Sequence, residues 1–140
     1  MSGRRQGDKP GATRVSGGLR IPKVIHFEIP ADDTKRAAEF YSRVFGWKVE
    51  KWGPMEYWSA TAGGEDEPGI NGAIVARSEM PVTRNTIAVA SIEEFAEKVA
   101  RAGGKVVSPK MAIPGYGYIA ACVDTEGNAF NIMQQDPNAK

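Results

Sequence analysis

From Val24 to Ile29 the chain alternates with a period of two, placing Ile25, Phe27 and Ile29 on one side and Val24, His26 and Glu28 on the other. That alternation predicts a strand, with order beginning at Ile21-Pro22. Pro30-Ala31-Asp32-Asp33 stops the strand and supplies an N-cap for a helix over Thr34 to Phe45. Ala37, Phe40, Tyr41 and Val44 recur at helical spacing and form one apolar stripe. Gly46 closes the helix, and Trp47 to Glu50 starts a second strand. Two further strands are predicted over Met55–Thr61 and Ile70–Ala76, joined by an acidic, turn-rich loop at Gly63–Gly69 that should be exposed.

The same order then recurs. Asn85 to Val89 reads as a strand, and Ser91 caps a helix carrying Ile92, Phe95, Val99 and Ala102. Gly103-Gly104 ends that helix and leads into Lys105-Val106-Val107. Tyr116–Val123 and Ala129–Gln134 are strands around the turn Asp124-Thr125-Glu126-Gly127-Asn128. Phe45-Gly46-Trp47-Lys48-Val49 is echoed by Ala102-Gly103-Gly104-Lys105-Val106 about 57 residues later, so the chain reads as an internal duplication. The predicted fold class is α+β, built of two βαβββ modules over about 22–77 and 84–136. Residues 1–20, rich in Gly, Ser and Arg and without periodicity, cannot offset their chain entropy by burial and read as a flexible basic tail.

Composition narrows the function classes. The formal net charge is +1, so bulk electrostatics call for neither nucleic acid nor an anionic membrane. No apolar run approaches the ~18 residues needed to span a bilayer, and Arg4-Arg5 is not followed by the apolar segment of a signal peptide. Cys122 is the one cysteine and lies in the apolar run Ile119–Val123. It reads as a buried small hydrophobe, and a chain without an intrachain disulfide fits a reducing, cytoplasmic setting. Neither Gly63-Gly64 nor Gly103-Gly104 has the spacing of a phosphate-binding loop, and there is no Gly-x-Ser-x-Gly elbow.

The stretch His26-Phe27-Glu28-Ile29-Pro30-Ala31-Asp32-Asp33, followed by Ala37-Ala38-Glu39-Phe40-Tyr41 and Val44-Phe45-Gly46-Trp47, resembles the first module of the vicinal-oxygen-chelate superfamily (glyoxalase I, bleomycin-resistance proteins, extradiol dioxygenases). Asp124-Thr125-Glu126-Gly127-Asn128 resembles the superfamily's turn before its final strand, and Lys110 to Tyr118 resembles the bacterial lactoylglutathione-lyase-related members. The resemblance covers about residues 22–136 and implies curled mixed sheets around a cavity, a small-molecule partner and a homodimer. It also implies a divalent-metal site with a His, Glu or Gln ligand on the first and fourth strands of each module.

Position by position, those ligand places hold His26 and at best Asn71 in module one, and Thr86 and Asn131 in module two. One imidazole and neutral groups fall short of a catalytic donor set, so no cofactor is expected, and His26 is the residue any metal would use. His26 is the sole histidine, and Glu28, two residues on, shares its side of the strand. The pair is the candidate acid/base couple. Tyr57, Trp58, Tyr118, Asn131 and Met133, with Asn71 and Thr86, complete the candidate ligand-binding set, the aromatic rings offering stacking surface. Lys110-Met111 before Pro114-Gly115 reads as a flexible segment at the cavity mouth.

These features leave three readings open. One is a metal-independent binder of a small organic molecule. Another is a lyase, isomerase or oxygenase using His26 as base or metal ligand. The third is an interaction module whose cavity is filled by side chains.

Overall fold

The computed structural model describes residues 13–14, 20–79 and 81–140. Most of the expected tail lies outside them. Its described part is a two-residue ladder in which β1 (Thr13–Arg14) pairs with β2 (Arg20–Ile21). Two compact units follow, one spanning Ile25–Asn85 and the other Thr86–Lys140 with the described residues before Ile25.

Module one contains β3 (Lys23–Ala31), α1 (Thr34–Phe45), β4 (Lys48–Lys51), β5 (Tyr57–Thr61) and β6 (Gly72–Ala76). The strand order is β4-β5-β6-β3; β6 runs parallel to β3, and the other two pairs are antiparallel. The helix begins where the sequence predicts: Asp33 is extended, and its Oδ1 accepts a hydrogen bond from Arg36 N at 2.9 Å. It ends on Gly46, whose φ of 72° is left-handed and whose N–H donates to the Ser42 carbonyl. β3 runs two residues further than expected, through Pro30 and Ala31, because its parallel ladder to Val75 and Ala76 holds both residues extended. Ala31, Ala38 and Ile74 form the buried centre under α1, with Ala37, Tyr41, Val49 and Trp58 packed around them.

Strand parity then assigns two faces. Phe27, Val49, Trp58, Gly72 and Ile74 lie on the α1 side, and His26, Glu28, Glu50, Tyr57 and Ser59 lie on the other. Gly72 is required on the helix side, since a Cβ there would stand 2.5 Å from the Phe27 ring.

Module two contains β7 (Arg84–Ala88), α2 (Ile92–Arg101), β8 (Lys105–Val106), β9 (Met111–Ile113), β10 (Gly117–Val123) and β11 (Ala129–Gln135). Its strand order is β7-β11-β10-β8, with β9 also paired to β10. Ser91 caps α2, its Oγ accepting from Glu94 N at 3.2 Å. The core is Val89, Ile92, Ala120, Cys122 and Ile132, with Ile87, Phe95, Tyr118 and Phe130 against it. Cys122 is buried as expected, and burial pushes its thiol pKa up, away from reactivity. The turn after β10 is tied by Asp124, whose Oδ1 accepts from the N–H groups of Glu126 and Asn128, both at 2.8 Å.

The segment before Pro114-Gly115 departs from expectation. Met111–Ile113 is not an irregular flap but a strand hydrogen-bonded to Gly117–Ile119, with Pro114-Gly115 as the hairpin tip. Lys110 ties it to the helix, bonding Glu93 at 2.8 Å and lying 4.6 Å over the Tyr118 ring.

Candidate functional site

On the face of module one turned away from α1, β3 and β5 bring three polar side chains together. The Tyr57 hydroxyl lies 3.1 Å from His26 Nε2, and Glu28 Oε2 lies 3.7 Å from the same nitrogen. His26 and Glu28 meet because they are two residues apart in one strand. Tyr57 joins them from β5, which reaches β3 across β6. Ala73 stands between them, opposite Glu28 on one side and Ser59 on the other. Its small side chain leaves room for the phenol to cross to the imidazole.

The group is half-buried, with side-chain exposures of 29% for His26 and 18% for Glu28, so an incoming molecule can reach both. Burial, and then the Glu28 carboxylate, push the Tyr57 pKa up to about 12. Tyr57 is therefore a neutral O–H donor throughout the physiological range. A neutral imidazole that accepts this proton at Nε2 carries its own on Nδ1.

One residue absent from the candidate set belongs here. Trp52 is 50% exposed, and its ring meets Tyr57 edge-on at a centroid distance of 5.8 Å. It follows Lys51, so it falls on the same side of the chain as Glu50, and its backbone N–H donates to the Tyr57 carbonyl at 2.8 Å. Parity continued one residue past the end of β4 would have selected it.

Three candidates stand elsewhere. Trp58 is adjacent to Tyr57 in a strand and so must point to the opposite face, where it packs in the core under α1. Tyr118 likewise packs against the α2-side core of module two. Asn71 precedes β6, is exposed, and closes the Ala62–Asn71 loop by accepting from Ala62 N at 2.9 Å.

In module two, Asn131 and Met133 share one face of β11, and Asn131 Nδ2 donates to Thr86 Oγ1 at 3.4 Å. Both polar groups are buried, Thr86 2% exposed and Asn131 5%. The partner Asn131 needs is thus a neighbouring strand.

This donor set does not fit a divalent cation of the kind the resemblance implies. His26 and Glu28 are the only anionic or imidazole donors at the first- and fourth-strand positions; Ala73 lies across from Glu28, and the Thr86–Asn131 pair is neutral and hydrogen-bonded to itself. Among the described residues no group of three or more His, Cys, Asp or Glu side chains is placed to hold a metal. Among the described residues no helix is long and apolar enough to cross a membrane.

Comparison with known proteins agrees with the architecture. Residues 23–132 match the family model described as the glyoxalase/bleomycin resistance protein/dioxygenase superfamily. A glyoxylase-like domain-containing protein from Didymella fabae is 32% identical over 121 residues, covering 79% of this chain and 91% of its own. Among solved structures, a superfamily member from Vibrio splendidus aligns with a TM-score of 0.60 at 16% identity, over 81% of this chain and 98% of its own. Methylmalonyl-CoA epimerase from Mycobacterium tuberculosis aligns with a TM-score of 0.58 at 14% identity, over 81% and 88%. At those identities the structural matches speak for the fold alone. Family model and relative together place the chain in the glyoxalase/bleomycin resistance protein/dioxygenase superfamily, to which it belongs.

Proposed function

We propose that this protein binds a small planar organic molecule on the α1-distal face of module one, without the metal its superfamily usually carries. The observation behind this reading is the convergence of a half-exposed indole, Trp52, with the His26–Tyr57–Glu28 group. A ring stacks on the indole while its polar substituents meet the phenol, imidazole and carboxylate groups, which is how apolar sites orient small ligands. A ligand that displaces the Tyr57–His26 hydrogen bond gains the phenol O–H as donor and Nε2 as acceptor, with Glu28 as a further acceptor.

The test is calorimetry and thermal denaturation against a panel of planar heterocycles, phenols and aromatic acids, with and without a chelator. A ligand present at about 100 times its Kd stabilises the fold by about 2.7 kcal/mol. The expected result is a saturable rise in Tm that the chelator leaves unchanged and that Trp52→Ala or His26→Ala abolishes. A stoichiometric Ni²⁺, Zn²⁺, Fe²⁺ or Mn²⁺ ion, bound by the wild type and lost in His26→Ala, would overturn it.

The neutral phenol beside an imidazole favours one second reading, a metal-free lyase or isomerase. There His26 or Glu28 takes the proton and Tyr57 stabilises the developing oxyanion. Turnover falling at least tenfold in His26→Ala, with folding intact, would put this reading first.

A further inference from the structure

Among the described residues, every carboxylate paired with a lysine or arginine has a side chain between 51% and 77% exposed. Such pairs are solvated on both sides and need little from each other. Glu28 is the reverse. Its side chain is 18% exposed, and among the described residues the one base beside it is His26. The 3.7 Å from Oε2 to Nε2 is longer than a hydrogen bond. That nitrogen also faces the Tyr57 hydroxyl at 3.1 Å, and where the phenol donates to it a neutral ring has no hydrogen there for Glu28. A carboxylate drawn this far out of water calls for a cation or for hydrogen-bond donors.

The rest of the α1-distal face supplies neither. Its lysine, Lys48, already lies 3.7 Å from Glu50 in an exposed pair. The Glu28 charge is felt by the neighbouring phenol, where it adds to burial in pushing the Tyr57 pKa up to about 12. Trp52 favours the same sign of partner. Its ring is half exposed and meets Tyr57 edge-on at 5.8 Å, and the face of an indole is electron-rich. Carboxylate and indole both attract a positive charge, and both repel an anion. A neutral ring would stack on Trp52 and leave Glu28 as it is.

We infer that the ligand of this face is a planar cation carrying N–H donors, an amidinium or a protonated amino-substituted ring. Its ring lies on Trp52, and its N–H groups donate to the Glu28 carboxylate and to Nε2 of His26. The inference rests on the binding reading above and adds to it the charge of the ligand.

Benzamidine, benzamide and benzoate test it, since they share one planar outline and are cationic, neutral and anionic. Calorimetry of the full chain at pH 8 and low salt should find benzamidine bound about tenfold or more tightly than benzamide, and benzoate more weakly than either. Glu28→Gln, checked for folding by circular dichroism and Tm, should remove the benzamidine advantage. Equal affinities for benzamidine and benzamide, tighter binding of benzoate, or a benzamidine advantage that survives in folded Glu28→Gln would each overturn the inference. In those cases, binding that Trp52→Ala abolishes leaves the planar-ligand reading of the face standing. No saturable binding of any of the three removes both. Should Glu28→Gln fail to fold, the wild-type ranking decides alone.

Discussion

The Tyr57 hydroxyl stands 3.1 Å from Nε2 of His26, joining the outer part of one module's sheet to the only imidazole in the chain. Burial keeps the phenol protonated, so it can donate to Nε2, and where it does the neutral ring holds its proton on Nδ1. Nitrogen NMR of the single histidine at a pH where it is neutral should report the Nδ1–H form. Tyr57→Phe should return the ring to the Nε2–H tautomer that free histidine prefers. An unchanged nitrogen pattern would mean that the phenol does not set the tautomer.

Alkaline titration should single out the same tyrosine. Of the four tyrosines, Tyr57 has its pKa pushed up to about 12 by desolvation and by Glu28. A raised tyrosine pKa means that the native state holds a proton the unfolded chain gives up near pH 10. The associated stability is therefore complete below about pH 10 and is lost as pH rises through the folded value, about 12. Phenolate absorbance should show one late-titrating group in wild type that is missing in Tyr57→Phe. Glu28→Gln should lower the late step, because the carboxylate charge is gone while the burial remains.

Much of this was readable in the residues because period and capping chemistry are local. Alternation around His26, Asp33 and Ser91 as caps, and Gly46 as the helix stop all act within a turn of the chain. The His26–Glu28 couple followed from parity alone. The missed features are non-local or depend on register. Met111–Ile113 is too short for alternation to register and becomes a strand through its ladder to Gly117–Ile119. Aromatic chemistry alone groups Trp58 and Tyr118 with the site, although Trp58 is one residue from Tyr57 and cannot share its face. Trp52 is the converse: it lies just past β4, and its place beside Tyr57 depends on the β4–β5 pairing that brings the chain back.

Gly72 should be the most sensitive small residue in module one. A Cβ there would lie 2.5 Å from both the ring and the carbonyl oxygen of Phe27, and a backbone oxygen cannot swing aside as a side chain does. Gly72→Ala should cost about 1–3 kcal/mol, the usual range for overpacking a close-packed interior. Chemical denaturation should show a lower midpoint in the variant. Full stability in the single variant would place Phe27 elsewhere.

The buried pair in module two makes a prediction of opposite logic. Asn131 donates to Thr86 at 3.4 Å, a long bond between two neutral groups that are both out of water. The bond itself contributes little, but losing one partner strands the other. Thr86→Val keeps the shape of the side chain, removes the acceptor, and should cost about 1–3 kcal/mol through the unpaired amide. Adding Asn131→Leu removes the stranded group, so the double variant should be more stable than the Thr86→Val single. A denaturant-based double-mutant cycle decides the matter. Additive losses would mean that Thr86 and Asn131 do not act as a pair and that the Asn131 amide finds another partner. Strong coupling would mean that the two positions where metal-using relatives place ligands serve in this chain as an internally satisfied polar contact.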